Sequence, residues 1–249
     1  MSLSCTSSAG ERFSCYYESW LKKLEGHLQQ LVLGRQLEYE SIIVSLTAHH
    51  KDYYRAKWAE AHEDVLAFFS PQWASPLEAA FLWMTGWKPS MAFQLVDSLR
   101  RTRAPLTTLA QLTEAQVLRI DDLRARIRSE EEKVERDMER QQMALGGQRM
   151  VELARLASRT NEAREQVMRQ VDGAVKGLLQ GLQKVMKIAD YTRLKTLKGL
   201  LDVLNPRQGV DFLAVFAMLQ IQMRKLGKER AAASSTNIMK GNRLGQKGT

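Results

Sequence analysis

Few side chains in this sequence could act as metal ligands, acids or nucleophiles. The chain has four histidines, which are His27, His49, His50 and His62. Neighbouring residues on a helix point about 100° apart, so His49 and His50 cannot both ligate one ion. The successive carboxylates at 130–132 diverge for the same reason, and such a run is typical of a solvated helix face. These residues predict neither a metal site nor an acid–base pair.

The sequence also lacks the motifs that usually surround a catalytic nucleophile or a bound phosphate. No GxxxxGK[ST], GxGxxG, GxSxG or HExxH pattern occurs. The two cysteines, Cys5 and Cys15, lie near the N-terminus and match neither a disulfide framework nor a metal-ligand spacing. We therefore predict a protein that is not an enzyme and that needs no metal or cofactor.

The formal net charge of +9 raises the question of nucleic-acid binding. From residue 228 to the C-terminus there are five basic residues and one acidic residue, so this end supplies +4 of the total. Its other residues are mainly Ala, Ser, Gly and Asn, a composition typical of disordered ends. We predict a basic, disordered tail over residues 228–249, and DNA binding that is weak or indirect.

Targeting and membrane segments are not evident. The N-terminus has no basic stretch followed by an apolar one, so no secretion signal is predicted. The longest wholly apolar run, at residues 212–219, is far shorter than the ~20 residues that span a bilayer. The expected location is the nucleus, the cytoplasm or both.

Apolar residues recur at steps of three and four over most of the chain, which predicts an all-α fold. The main stripes run over residues 13–31, 42–69, 167–204 and 212–226, with a break expected at Gly34–Arg35. We predict a multi-helix bundle with long antiparallel helices. It forms one domain over residues 13–227, after a flexible N-terminus at residues 1–12.

One stretch, at residues 113–142, has the pattern of a coiled-coil-like arm. Ile120, Ile127 and Val134 lie seven residues apart, and charges of both signs are interleaved between them. Thr113 is the predicted N-cap, and Gly146–Gly147 is expected to end the helix. An exposed arm of this kind would allow the protein to form a homodimer.

Three of the five tryptophans lie in the segment SPQWASPLEAAFLWMTGWKPS, residues 70–90. Ser75 and Glu78 have the spacing of a capping box, and the helix that they start is expected to end near Thr85–Gly86. Trp83 and Trp87 are four residues apart, so one helix face would present both rings. They could form part of the core or line an aromatic pocket for an apolar ligand.

This segment closely resembles the plant delay-of-germination domain, which also forms the C-terminal half of TGA-type bZIP transcription factors. The matching residues are Trp73, Ser75, Pro76, Glu78, Trp83, Met84, Gly86, Trp87, Lys88 and Ser90. Three further segments agree in the same order: Y-x-x-W-L at Tyr17, Trp20 and Leu21, AHHKDYYRAK at 48–57, and the AD-x-x-R and QG-x-DFL motifs within 189–213. The resemblance extends from about residue 13 to 226.

The resemblance implies a regulatory protein without catalytic activity, of the kind found in seed dormancy and abscisic-acid signalling. In TGA factors a basic region and a leucine zipper precede this domain. Here the resemblance begins at about residue 13, so a stand-alone delay-of-germination-like protein is expected. The leading hypothesis is a helical protein-interaction module linked to transcription regulation. Its implied partner is a type-2C protein phosphatase or a bZIP factor, with a candidate contact at Tyr17, Trp20 and Leu21.

Three alternatives remain open at this stage. The first is a transcription regulator that associates with DNA through TGA-type partners. The second is a calmodulin target, because the apolar stripe at 212–226 leads into basic residues, although so regular a stripe is more often buried. The third is a pocket for a fatty acid or other apolar ligand, which the resemblance implies. Its candidate residues, shared with the core, are Trp73, Glu78, Trp83, Met84, Trp87 and Lys88.

The sequence departs from the family pattern in two places. Most members have arginine where this chain has Lys88, and an ammonium group cannot reproduce a bidentate contact. Some members carry a histidine pair, proposed as haem ligands, at positions that correspond to Gln220 and Arg224 here. An amide and a guanidinium are not ordinary axial ligands, so no haem is expected. Glu78 and Lys88 could also form a charge pair at the edge of the pocket, although the capping role of Glu78 already accounts for that residue.

Overall fold

The regular structure of the chain is helical. A computed structural model describes residues 8–33, 38–101, 108–145, 147, 151–152, 154–155 and 161–245. In these ranges the only strand-like pairing is an isolated bridge between Trp83 and Gly86. The α-helices are α1 (Ala9–Leu33), α2 (Tyr39–Glu63), α3 (Leu66–Phe69), α4 (Pro76–Ala80), α5 (Ser90–Arg101), α6 (Glu114–Leu145), α7 (Asn161–Val203) and α8 (Pro206–Gly245). The predicted all-α bundle is confirmed.

Several helices begin at reciprocal caps that are readable in the sequence. The predicted capping box at Ser75 is present, because its hydroxyl accepts from the Glu78 N–H and Glu78 accepts from the Ser75 N–H. Thr113 caps α6 in the same way, with Gln116 as the returning side chain. Asn205 and Gln208 form an equivalent pair ahead of α8. These caps fix where the helices start.

The largest hydrophobic cluster joins α1, α2, α5, α6, α7 and α8. Its fully buried members include Leu24, Leu46, Leu200 and Phe212. They lie on the stripes whose three-and-four spacing predicted the helices, so each stripe faces the same core. A second cluster, around Phe13, Phe68 and Met186, joins α1, α2, α3 and α7.

The seam of α6 packs against α7 of the same chain. Ile120, Ile127 and Val134 are buried, and Val134 shares a cluster with Val185 on α7. The two helices run antiparallel, since Gly181 lies beside Gln141 while Gly199 lies beside Leu123. The apolar seam of α6, from which self-association was predicted, is therefore covered by α7. A homodimer stays a prediction.

The ends of the chain are more helical than the sequence analysis predicted. α1 begins at Ala9, within the predicted flexible segment, because Ser8 and Glu11 cap its first turn and Arg12 pairs with Glu60 and Glu63. At the other end, α8 continues through Gly245, so residues 228–245 are helical rather than disordered. The alanines at 231–233 favour continued helix, and no proline follows Pro206.

Two internal boundaries also differ from prediction. The stripe at 42–69 is interrupted because α2 ends at Glu63 and the Asp64 carboxylate accepts from the Leu66 N–H at the start of α3. The helix that begins after Ser75 ends at Ala80, well before Thr85. The predicted breaks at Gly34–Arg35 and Gly146, and Cys5, lie outside the described residues.

Within the described residues, no helix combines the length and apolar character that crossing a membrane requires.

A pair of phenylalanine substitutions tests the position of the core. Phe212 is 0% exposed and Phe81 is 57% exposed. We expect Phe212→Ala to lower the free energy of unfolding by ~3–5 kcal/mol, and Phe81→Ala to change it by less than ~0.5 kcal/mol. Urea denaturation followed by circular dichroism measures both values. Equal losses in the two variants would contradict this placement of the core.

Candidate functional site

A pocket of about 340 Å³ opens between α1, α2, α8 and the segment that connects α3 to α5. Its lining is largely aromatic and includes Tyr17, Trp20, Tyr53, Tyr54, Trp73 and Trp87. Four of the residues that line it are apolar and exposed, and we call them the apolar rim: Phe81, Leu82, Met91 and Leu219. The pocket therefore joins a buried aromatic interior to an exposed apolar surface.

The tryptophan loop, residues 81–89, forms one wall of the pocket as a tight reverse turn. The Trp83 N–H donates to the Gly86 carbonyl at 2.6 Å, and the Gly86 N–H donates back at 3.1 Å. Met84 and Thr85 have positive φ angles of 43° and 67°, which are unfavourable for residues with a side chain. This turn replaces the predicted helix, so Trp83 and Trp87 do not share a helix face.

Arg193 on α7 holds the tryptophan loop in this conformation. Its guanidinium donates to the Trp87 carbonyl at 2.7 Å and to the Met84 carbonyl at 2.9 Å, and it also reaches the Trp83 carbonyl. A Cβ atom at Gly86 would lie 2.9 Å from the Arg193 Cζ atom. Glycine is therefore required at this position, because the guanidinium occupies the space of a side chain.

Arg193 belongs to a buried charge cluster, which we define as Lys57, Asp190 and Arg193. The Lys57 ammonium donates to Asp190 Oδ1 at 2.9 Å, to Thr85 Oγ1 at 2.7 Å and to the Thr85 carbonyl at 3.1 Å. Arg193 also pairs with Asp190, and the Trp58 indole N–H donates to the second carboxylate oxygen. Burial lowers the pKa of Lys57 to about 8, although the charge of Asp190 opposes the shift.

No local sequence pattern indicated this cluster, although its residues lie in two of the motifs that carried the resemblance. Lys57 ends the AHHKDYYRAK segment, and Asp190 and Arg193 are the polar residues of AD-x-x-R. The sequence does place these charged residues within otherwise apolar helical stripes, a pattern that could have indicated buried charges. The pairing itself, across 133 residues of sequence, could not be read from spacing.

Glu78 and Lys88 do not pair with each other, contrary to the expectation. Lys88 Nζ lies 2.8 Å from Glu135 Oε1, which also accepts from the Trp83 indole N–H at 2.9 Å. Glu78 pairs instead with Arg224 on α8 at 2.9 Å. Glu135 thus connects the tryptophan loop to α6, and Glu78 connects the capped helix α4 to α8.

Arg224 connects three parts of the chain at the α4 end of the pocket. Besides Glu78, it reaches Glu18 on α1 and donates to the Trp73 carbonyl at 2.5 Å. α8 approaches so closely that a Cβ atom at Gly227 would lie 1.9 Å from the Ser75 hydroxyl. Of the two positions compared with haem ligands in the sequence analysis, Arg224 is thus an ion-pairing residue and Gln220 lines the pocket.

The candidate partner residues on α1 are mostly inside the fold. Trp20 and Leu21 are only 5% and 7% exposed. The Trp20 indole N–H donates to the His49 carbonyl at 3.1 Å, and its ring stacks on the His49 imidazole with centroids 4.9 Å apart. Tyr17 lines the pocket and donates to Glu78. A partner contact at these three residues stays a prediction, because the folded helix turns two of them towards the core.

The other tryptophan-segment residues contribute to packing as well as to the pocket. Trp83 and Met84 are half-buried against the small cluster around Val134 and Val185. Trp73 packs against Phe13 and Phe68, and Trp87 packs edge-on against Phe216 on α8. The core and pocket interpretations of the tryptophans are therefore compatible.

In the described part of the chain, no group of three or more His, Cys, Asp and Glu residues could hold a metal ion.

The sequence of the chain is similar to those of several plant proteins. A family model described as seed dormancy control matches residues 21–98, which include the tryptophan loop. The chain is 48% identical over 226 residues to Protein DOG1-like 4 of Arabidopsis thaliana, covering 88% of this chain and 94% of that protein. Protein RESPONSE TO ABA AND SALT 1 of the same plant is 26% identical over 243 residues, which cover 90% and 98% of the two chains.

A more distant similarity links the chain to transcription factors. It is 26% identical over 219 residues to Transcription factor TGA6 of Arabidopsis thaliana, covering 86% of this chain and 63% of that protein. The fold and the comparisons together define an all-helical protein that is similar to plant proteins named for seed dormancy and for transcription. The chain belongs to the DOG1-like family.

The buried charge cluster predicts an unusual pH dependence of stability. Because the pKa of Lys57 is about 8 in the folded protein and 10.5 ordinarily, the unfolded chain binds more protons between these values. Lys57 should therefore contribute a rise in stability with pH, of on the order of 2 kcal/mol between about pH 8 and pH 10. Lys57→Met should remove the rise, because Asp190 keeps Arg193 as its partner.

Urea denaturation of both proteins over this pH interval measures the effect. The raised pKa values of Tyr16, Tyr17, Tyr53 and Tyr54 oppose this rise as the pH approaches and passes their ordinary value of 10.0, but both proteins contain these tyrosines. The difference in stability between the two proteins therefore isolates the contribution of Lys57. The assignment fails if this difference does not change between about pH 8 and pH 10.

Proposed function

We propose that the protein is a non-enzymatic helical interaction module that binds a partner protein through the apolar rim of the pocket. The observation that carries this proposal is the exposure of Phe81, Leu82, Met91 and Leu219 around one opening, at 57%, 37%, 43% and 45%. Apolar side chains that cluster on a surface, rather than lying singly, usually mark a binding site.

The rim is suited to binding because its backbone is already fixed. Two of its residues, Phe81 and Leu82, belong to the tryptophan loop, whose carbonyls are held by Arg193. Met91 is on α5 and Leu219 is on α8, both of which contribute to the main core. A surface that is ordered before binding loses less conformational entropy when the partner docks.

The relatives suggest the setting in which this interaction occurs. The name of one refers to a response to abscisic acid and salt, and another is a transcription factor. We propose that this protein acts in hormone, dormancy or developmental signalling in the nucleus, where it regulates transcription. The partner classes to test are type-2C protein phosphatases and TGA-type bZIP factors.

A purified phosphatase of this type and a purified TGA-type factor are immobilised, and binding of the full chain is measured by surface plasmon resonance. We expect Phe81→Ser combined with Leu219→Ser to weaken binding at least ~10-fold, as expected for loss of central apolar contacts. The control is Val44→Ser combined with Leu118→Ser, since these residues are 68% and 67% exposed but do not line the pocket.

The control pair should bind as tightly as the wild type. The proposal fails if both double variants bind like the wild type, or if neither partner class binds the wild-type chain. Thermal unfolding of each variant separates a loss of binding from a loss of fold.

The alternative of a calmodulin target is disfavoured by burial. Phe212 and Phe216, which begin the candidate stripe, are 0% and 7% exposed in the main core. Arg224, at its basic end, is occupied by Glu18 and Glu78. Calmodulin binding would require α8 to leave the bundle, with the loss of much of that core.

Direct DNA binding can be separated from partner binding by removing the basic C-terminal residues. Phosphate contacts carry no sequence information and weaken steeply with salt. We expect the full chain to bind a TGACG duplex and a scrambled duplex equally weakly, and deletion of residues 228–249 to abolish both interactions. Mobility-shift assays at about physiological salt measure this. Selective binding of TGACG by the shortened chain would instead favour the DNA-binding alternative.

A further inference from the structure

The pocket contains two buried hydrogen-bonding atoms that the fold leaves without partners. They are His50 Nε2 and Gln220 Oε1, and both side chains line the pocket. Native proteins rarely leave a buried polar atom unpaired, because its desolvation is then uncompensated. A hydrogen-bond donor within the cavity, either a ligand hydroxyl or a water molecule, would supply the missing partner.

The chemistry of His50 fixes what that partner must be. Its Nδ1 lies 3.0 Å from the Leu46 carbonyl, which can only accept, so Nδ1 carries the proton. Burial lowers the pKa of His50 to about 4, so the ring is neutral at physiological pH. Nε2 therefore has a free lone pair and needs a hydrogen-bond donor.

Gln220 extends the same polar site along α8. The His50 ring packs against the Phe216 ring with centroids 5.9 Å apart, and Gln220 follows Phe216 by one helical turn on the same face. Its unpartnered Oε1 atom is also an acceptor. Two acceptors on neighbouring faces of α2 and α8 thus border a largely apolar cavity.

The charged side chains of the pocket do not call for a charged ligand. Lys57 and Glu78 line it with opposite signs, and each already has an ionic partner in Asp190 or Arg224. All three hydrogens of the Lys57 ammonium are donated within the protein. A carboxylate, which has only acceptor oxygens, would face the two acceptors at His50 and Gln220 unfavourably.

We propose that the pocket binds an uncharged amphiphile whose apolar body lies among the tryptophans and tyrosines and whose hydroxyl donates to His50 Nε2 or Gln220 Oε1. The volume of about 340 Å³ is near the lower end for small-molecule sites and suits one medium-length chain or a compact ring system. This differs from the fatty acid that the family resemblance implied. It does not depend on partner binding at the apolar rim.

Three probes with a ten-carbon chain test whether the ligand must donate a hydrogen bond: n-decanol, its methyl ether and sodium decanoate. Binding to the full chain is measured by isothermal titration calorimetry at neutral pH. The alcohol should bind at least ~5-fold more tightly than the ether, which lacks a donor, and than the carboxylate. Equal affinities for alcohol and ether, tighter binding of decanoate, or no binding of the alcohol would each overturn the proposal.

Two variants locate the polar contact. His50→Phe and Gln220→Leu remove one acceptor each at similar volume, and at least one should weaken decanol binding by ~3–10-fold while leaving the ether unchanged. The matched control is His27→Phe, because His27 also has an unpartnered ring nitrogen but does not line the pocket. If His50→Phe does not fold, His50→Leu, which also lacks the acceptor, is used in its place. Unchanged decanol affinity in the folded variants would overturn the assignment.

Discussion

The arrangement of the pocket depends on the buried charge cluster of Lys57, Asp190 and Arg193. Two cations and one carboxylate are less than 2% exposed, so one positive charge has no carboxylate of its own. The carbonyls of Trp83, Met84, Thr85 and Trp87 supply the missing negative potential. In a low-dielectric interior, a charge left without such partners is very unfavourable. The cluster therefore requires the tryptophan loop to be in place.

This requirement explains a loop conformation that local preferences oppose. Positive φ angles at Met84 and Thr85 cost on the order of 1–3 kcal/mol each. The turn persists because it directs several carbonyls at Arg193 and Lys57, and because Gly86 leaves room for the guanidinium. The same turn places Phe81 and Leu82 at the mouth of the pocket and Trp87 in its wall. The buried charges on α2 and α7 thus determine the position of apolar residues at the surface.

Local patterns in the sequence were sufficient for the helical class, the α6 seam and the caps at Ser75 and Thr113, since each depends on residues within one or two turns. The tryptophan loop was not predictable in this way, because the four-residue spacing of Trp83 and Trp87 also fits a helix. What excludes a helix there is Arg193, which is 110 residues from Trp83 in sequence. The pairings of Glu78 with Arg224 and of Lys88 with Glu135 are likewise long-range, and residue type alone gave the wrong partners.

The two ends of the pocket are held by interactions of different kinds. The charges of Lys57, Asp190 and Arg193 behind the tryptophan loop are fully buried, so they are little affected by dissolved salt. At the α4 end, Arg224 and Glu78 are 10% and 12% exposed, and Glu18 is 40% exposed. Ions screen such partly exposed pairs more effectively, and their contribution to stability is smaller. The loop wall is therefore the fixed side of the pocket, and the contact of α1, α4 and α8 is the side whose strength depends on ionic conditions.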